Sequence, residues 1–216
     1  MKSFSQFQPA SQMLMTNKNS GNAGFSLVEV LISIIILSFG LLGLVGLQAA
    51  ALQANRDARL QSVANAFARE LGEMMRGNKD VANRTSTDVL TNPYLGQFSN
   101  PNGTTPLGPL TKYYCLNVGS TCSTVTQTAQ SQMTDWLTRI DAELPGVRVE
   151  ICPDNAPFDA QGVPQWSNCP PAPVNETILV KIGWTRNSTN RTSEGAAALV
   201  KATNPSIVIP ISAGNT

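Results

Sequence analysis

One long apolar stretch near the N-terminus limits what this chain can fold into. From Phe25 to Leu47 the sequence is FSLVEVLISIIILSFGLLGLVGL, and Glu29 is its only charged residue. A helix of about 20 apolar residues is long enough to cross the ~30 Å hydrocarbon core of a bilayer. The stretch therefore predicts a helix that lies in lipid or inside an assembly, rather than in the core of a small domain.

The residues before this stretch indicate its orientation. Residues 1–24 contain Lys2 and Lys18 and no acidic residue. Basic residues ahead of an apolar span favour a cytoplasmic N-terminus and an exported remainder. A secretory signal peptide is disfavoured because its apolar region is about 7–15 residues long and ends at a small-residue cleavage site. A simple single-pass anchor remains as an alternative.

Glu29 is the feature that a simple anchor does not explain. A carboxylate inside an apolar membrane helix costs several kcal/mol unless it is paired or reaches the interface. Proteolysis between Gly24 and Phe25 would create an α-amine at the start of the apolar helix. Such an amine on a neighbouring copy could pair with Glu29 in a medium of low dielectric constant. The sequence thus predicts a charge pair between subunits that forms after cleavage.

The run Gly24-Phe25-Ser26-Leu27-Val28-Glu29-Val30 resembles the class III signal of type IV pilins and pseudopilins. The resemblance implies that prepilin peptidase cuts after Gly24 and methylates the new amino terminus of Phe25. Residues 1–24 are then a cleaved leader, and Glu29 matches the acidic assembly position. Leaders of this kind are commonly short, so translation from Met15, which gives the ten-residue leader MTNKNSGNAG, is a second hypothesis.

The helical pattern continues beyond the apolar stretch. Apolar residues recur at three- and four-residue steps up to a predicted end near Gly77 and Asn78; they are Leu60, Val63, Ala64, Phe67, Ala68, Leu71, Met74 and Met75. We therefore divide the helix into an apolar part, 25–52, for the membrane or filament core, and an amphipathic continuation, 53–78. Gly40, Gly43 and Gly46 indicate either close packing between helices or a flexible point.

Residues 79–216 are predicted to form an exported α+β head domain. Its small antiparallel sheet is expected to pack against the amphipathic part of the long N-terminal helix. Residues 79–112 carry turn residues and no periodicity, which indicates a long loop. A second helix is expected over 128–144, ended by Pro145-Gly146. Alternating strands are expected around Val149 and Val180. Residues 198–201 and 207–211 are further strand candidates, with Pro210 favouring an edge.

The head also resembles, more sparsely, the PilV group of minor pilins. The shared order is a pair of cysteines, Asp135-Trp136 in a helix, Leu144-Pro145-Gly146, and late strands ending in Trp184. This resemblance implies a non-enzymatic minor pilin that primes filament assembly near the tip and supports twitching motility and adhesion. The implied partners are prepilin peptidase, the major and other minor pilins, the inner-membrane assembly platform and a tip adhesin. The implied location is the inner membrane, with a periplasmic head, and then the pilus.

The four cysteines allow three pairings. Sequential pairing, Cys115–Cys122 and Cys152–Cys169, is favoured because each pair brackets a loop rich in Gly, Pro or Ser. A metal site is disfavoured because no C-x-x-C spacing is present and an exported chain would be oxidised.

Several other classes of function are disfavoured by composition. The chain has no histidine and no nucleophile or phosphate-binding motif, so an anchored hydrolase is disfavoured and no cofactor is expected. Without residues 1–24 it has 13 basic and 14 acidic residues, a net charge of −1, which speaks against a DNA-uptake pilin. Asp154 and Asp159 are interpreted as solvated loop acids, with a calcium loop as the alternative. A minor pseudopilin of a type II secretion system remains the main alternative function.

Overall fold

The computed structural model describes Gly24 and residues 26–84, 90–99, 107–109, 112–166, 177–188 and 199–212. The chain divides into two compact units, Met1–Ala49 and Ala50–Thr216. Its elements are helices α1 (Leu27–Gly77), α2 (Lys79–Ala82) and α3 (Val125–Glu143), and strands β1 (Gly96–Ser99), β2 (Arg148–Pro153), β3 (Ile178–Gly183), β4 (Arg186–Asn187), β5 (Leu199–Val200) and β6 (Ile207–Ile211).

Helix α1 confirms the predicted continuous helix. It begins after Ser26, whose carbonyl accepts hydrogen bonds from the backbone N–H groups of Glu29 and Val30. It ends at Gly77, which confirms the end predicted near Gly77 and Asn78. The side chain of Asn78 then donates a 2.8 Å hydrogen bond to the carbonyl of Val125, which ties the end of α1 to the start of α3.

Helix α3 lies close to its predicted position. Its N-cap is Thr124, whose hydroxyl accepts a 3.1 Å hydrogen bond from the backbone N–H of Gln127. The predicted stop at Pro145-Gly146 is confirmed. Gly146 has φ of +57°, and a Cβ there would lie 2.5 Å from the hydroxyl of Thr185, so only glycine fits this turn.

The main sheet has four antiparallel strands in the order β1-β2-β3-β6. Val149 pairs with Ile182 and Ile151 with Val180, and all four side chains face the core. Strand β6 lies at the sheet edge, which confirms the position predicted from Pro210. Strands β4 and β5 form a separate two-stranded sheet, so the strand expected over 198–201 does not extend the main one.

The hydrophobic core joins α1, α3 and the sheet. Phe67 and Trp136 meet edge to face, with ring centroids 5.9 Å apart. The indole N–H of Trp136 also donates a 3.1 Å hydrogen bond to the carbonyl of Phe67, so this large side chain is buried with its polar atom satisfied. The α+β layout predicted from the sequence, a long N-terminal helix on a small antiparallel sheet, is confirmed.

The prediction of a long loop over residues 79–112 is wrong in two places. The segment contains α2 and also β1, which pairs with β2 along its whole length. Tyr94, Leu95 and Phe98 are buried there, and their burial holds β1 on the sheet. The strand is only four residues long, and the turn residues around it hid its alternation.

Candidate functional site

The predicted processing site lies at the start of α1. Gly24 is exposed, Phe25 lies outside the described residues, and Glu29 is an exposed acid in the first helical turn. A carboxylate in this position is favoured by the partial positive charge of the helix N-terminus. The structure thus leaves the side chain of Glu29 accessible to another molecule.

The apolar segment, defined here as residues 27–47, exposes its hydrophobic side chains on every face. The exposed fractions range from 46% to 87%. The large side chains concerned are Leu27, Val28, Val30, Leu31, Ile32, Ile34, Ile35, Ile36, Leu37, Phe39, Leu41, Leu42, Leu44, Val45 and Leu47. Contiguous apolar surface on this scale marks a membrane or protein interaction site.

The two serine hydroxyl groups of this segment are satisfied within the helix. The hydroxyl groups of Ser33 and Ser38 donate 2.7 Å hydrogen bonds to the carbonyls of Glu29 and Ile34, one turn earlier. Such bonds, together with the helical backbone bonds, allow a segment to enter an apolar medium without unpaired donors. The surface of the segment suits lipid or other apolar helices.

Length and hydropathy agree with this interpretation. Among the described residues, α1 is the helix that is long and apolar enough to cross a membrane; its most apolar 18-residue window has a mean hydropathy of 2.7 and is not buried at all. A Cβ atom added at Gly40, Gly43 or Gly46 would meet nothing within 4 Å. Close packing at these glycines would therefore need another molecule. Close packing between helices and a flexible point both remain predictions for this part of the helix.

The head contains a buried ionic cluster that the sequence analysis missed. Glu150 and Lys181 lie opposite each other on β2 and β3, and their side chains are 0% and 1% exposed. The Lys181 ammonium lies 3.2 Å from Glu150 Oε1 and 2.5 Å from Asp154 Oδ2, and it donates a 2.8 Å hydrogen bond to the Gln165 carbonyl. A charged residue between apolar neighbours in each of two strands, Glu150 in β2 and Lys181 in β3, was the sequence feature that could have revealed it.

The chain between Asp154 and Trp166 covers the face of the sheet that carries this cluster. A two-residue bridge between Phe158 and Pro164 closes the segment on itself. The Trp166 ring lies under the guanidinium of Arg148 at 4.2 Å and also approaches the backbone of β3 at Gly183. This cover explains why both faces of β2 and β3 are buried.

The interpretation of Asp154 as a solvated loop acid is therefore wrong. Its side chain is 9% exposed and pairs with Lys181. Asp159 organises the loop instead, because its carboxylate accepts hydrogen bonds from the backbone N–H groups of Gln161 and Val163. Within the described ranges no group of three or more His, Cys, Asp or Glu side chains is arranged around a common point.

One predicted disulfide lies within the described residues. Cys115 and Cys122 are joined, with their Cα atoms 4.9 Å apart. Cys152 is also in a disulfide, but Cys169, its predicted partner, lies outside the described residues. The second pairing stays a prediction.

The comparisons with known proteins concern the start of the chain. Residues 19–45 match the family described as "Prokaryotic N-terminal methylation motif", and this segment includes Gly24, Phe25 and Glu29. The match supports a pilin-like family, which is structural rather than enzymatic. No curated protein and no solved structure matches the chain.

Proposed function

We propose that this protein is a minor pilin of a bacterial type IV pilus, which prepilin peptidase cleaves between Gly24 and Phe25 and methylates on Phe25. After processing it takes part in priming filament assembly near the tip, with the major pilin, other minor pilins and the inner-membrane platform. Its role is structural: it supports pilus formation and, through it, twitching motility and adhesion.

One observation carries this proposal. The apolar segment presents exposed hydrophobic side chains on all faces directly after a methylation motif, with Glu29 in the first turn. A secretory signal of ordinary type would be removed together with its apolar region, whereas cleavage after Gly24 keeps the whole segment in the mature protein. A retained apolar helix with an acid at its start suits a subunit that moves from lipid into a helix bundle.

The charge of Glu29 gives this movement its specificity. In the bundle, hydrophobic contacts with neighbouring helices replace contacts with lipid, so burial alone favours association little. A carboxylate that meets a neighbouring α-amine in a dry environment is stabilised far more than in water. The pair would set the axial position of each subunit relative to the next.

The N-terminus of the processed protein tests the first step. The protein is purified from membranes and from sheared surface filaments of a host that makes it, and the first peptide is analysed by mass spectrometry. We expect N-methylated Phe25 as the first residue. Gly24→Val should leave the leader attached, because a side chain at the cleavage site obstructs the peptidase. A mature protein that begins at any other residue would overturn the proposal.

The charge pair is tested by Glu29→Gln, which keeps the shape and removes the charge. We expect normal amounts in the membrane but strongly reduced incorporation into filaments. Asp57→Asn is the matched control, because it makes the same change on the same helix beyond the apolar segment, and it should assemble normally.

A minor pseudopilin of a type II secretion system is distinguished by the phenotype of the deletion. The pilin proposal expects fewer surface filaments and unchanged export of secreted enzymes. The reverse result, with filaments intact and secretion lost, would assign the chain to the secretion system.

A further inference from the structure

The buried cluster in the head has the composition and geometry of a site for covalent cross-linking. We propose that the side chains of Lys181 and Asp154 condense to an intramolecular amide bond, with Glu150 transferring the protons. The reaction is independent of pilus assembly and needs no cofactor, because the amine, the carboxyl group and the acid–base group all belong to the head.

The sheet brings the two reacting groups together. Asp154 directly follows β2, and Lys181 lies in the middle of β3, where its neighbour across the strands is Glu150. The antiparallel pairing of β2 and β3 fixes these positions, and Nζ of Lys181 lies 2.5 Å from Oδ2 of Asp154. Holding reactants in contact in this way corresponds to effective concentrations of about 10⁵ M or more in favourable cases.

The reaction balances without any other reagent. A proton first passes from the Lys181 ammonium to the Asp154 carboxylate, which gives an amine and a carboxylic acid. The amine nitrogen then forms a bond to Cγ of Asp154. Glu150 accepts a proton from that nitrogen and delivers it to the departing hydroxyl group. The Cγ–Oδ2 bond breaks, one water molecule leaves, and Glu150 returns to its starting state.

Two backbone groups fit the same reaction. The N–H of Ala156 donates a 2.8 Å hydrogen bond to Oδ1 of Asp154, the oxygen on which negative charge develops when Cγ is attacked. The carbonyl of Gln165 accepts a 2.8 Å hydrogen bond from Nζ and holds the amine in the cluster.

Burial favours the product over the ion pair. Lys181 and Glu150 are almost completely inaccessible, and the side chain of Asp154 is 9% exposed. Charges removed from water are costly, and the neutral amide removes two of the three buried charges, those of Lys181 and Asp154. Glu150, which then lies without the ammonium beside it, takes up a proton in the product and is neutral as well. The cover formed by residues 154–166 also limits the access of water that would reverse the reaction.

The bond would join the end of β2 to the centre of β3 independently of redox conditions. Cys152 lies two residues before Asp154 and is held in a disulfide, which a reductant can open. An amide would survive reduction. The head would then keep two central strands connected even after its disulfides were broken.

Trypsin provides a direct test on the full-length protein purified from membranes, after reduction and alkylation. Without the amide, cleavage after Arg148 and Lys181 releases a peptide that ends at Lys181. With it, the modified lysine resists cleavage, and the peptide should run from Val149 to Arg186 and be lighter than its calculated mass by one water. A peptide that ends at Lys181 with unchanged mass, as the dominant product, would overturn the proposal.

Two variants separate the amide from other losses of water. Asp154→Ala should restore both the cleavage at Lys181 and the unmodified mass. Glu150→Gln should do the same if proton transfer is required, and an amide that still forms in Glu150→Gln would overturn the role of Glu150. A cyclic imide at Asp154-Asn155 would also lose water but would leave Lys181 cleavable, so that combination would contradict the cross-link. The wild-type digest alone decides whether the amide is present, so the test of the cross-link remains valid even if a variant fails to fold.

Discussion

The two parts of α1 have opposite relations to the rest of the protein. The apolar segment exposes hydrophobic side chains all round, whereas the amphipathic segment, defined here as residues 53–77, buries one stripe of them in the head. Both parts are regular α-helix. The difference shows that the distribution of apolar residues around the helix, rather than its propensity to form, determines which surroundings each part requires.

This contrast also separates folding from assembly. The amphipathic segment completes the core of the head, where Ala64, Ala68 and Leu71 are fully buried. The large hydrophobic side chains of the apolar segment are exposed instead. Substitutions in one part should therefore change the stability of the head, and substitutions in the other should change association with lipid and other subunits.

Introducing the same charged residue into each part tests the contrast most severely. Leu71→Lys places an ammonium in the core and should prevent the head from folding, because a buried unpaired charge is not tolerated. Ile35→Lys should leave the head folded but impair membrane retention and filament entry, since a charge at the bilayer centre costs about 2.5–3.5 kcal/mol or more. Protease resistance of the head and membrane fractionation measure the two effects.

If both variants were degraded, the loss of folding and the loss of membrane association could not be told apart. The critical measurement is therefore whether Ile35→Lys retains a disulfide-intact, protease-resistant head. Loss of the folded head in that variant would show that the apolar segment contributes to the core after all.

Truncation of one leucine in each part tests the same contrast with a smaller change. Leu71→Ala should lower the free energy of unfolding of the head by about 2–5 kcal/mol, through lost burial and the cavity that remains. Leu37→Ala, which is 62% exposed before the change, should leave it unaltered. Urea unfolding of the processed protein in detergent, followed by tryptophan fluorescence, gives both values. Equal losses would contradict the assignment of the two parts.

Much of this organisation could be predicted from local patterns. Continuous apolarity identified the apolar segment, and three- and four-residue spacing identified the stripe that includes Phe67 and Leu71. The Pro145-Gly146 stop was predictable because the turn accepts little but glycine. These features depend on residues that are close in sequence, so one sequence contains the necessary information.

The elements that were missed depend on distant residues. Strand β1 is too short to show a reliable alternation, and it is held by pairing with β2, some 50 residues later in the chain. The same reason applies to the ionic cluster. Glu150 and Lys181 look like the solvent face of two strands until residues 154–166 cover that face, and no local pattern shows that the cover exists.

The pKa of Tyr94 reports whether water reaches the contact between the head and the amphipathic segment. Its hydroxyl lies against the Gln132 side chain and the Met74 carbonyl, and burial raises its pKa from 10.0 to about 12, partly offset by a hydrogen bond with Asn78. The folded state therefore keeps a proton that the unfolded state loses. This contribution to stability is complete below pH 10 and is lost as the pH rises towards 12.

Comparison with Tyr94→Phe isolates this effect, because the two proteins differ only in the hydroxyl group of Tyr94. Urea midpoints are measured below pH 10 and at about pH 11. We expect the wild type to lose more stability over this interval than the variant. Parallel declines would mean that water reaches the hydroxyl group.

The smallest effect concerns the ion pair that links the amphipathic segment to α3. Arg139 pairs with Glu70 of α1 and with Asp135 of its own helix, and its guanidinium lies 5.5 Å from the centroid of the Phe67 ring. The hydrogen bond with Glu70 is the main cause that raises the pKa of Arg139, so this arginine stays charged at every pH at which the head is folded. Both partners are about two-fifths exposed, which limits the energy of the pair.

A double-mutant cycle of Glu70→Gln and Arg139→Gln measures this pair directly. We expect a coupling energy of about 0.2–1 kcal/mol that decreases as salt is added, because exposed charges are screened. The packing of Phe67 and Trp136 should hold α1 against α3 in all three variants. A coupling of several kcal/mol would mean that charge, rather than apolar burial, attaches the amphipathic segment to the head, and the contrast between the two parts of α1 would then need a different explanation.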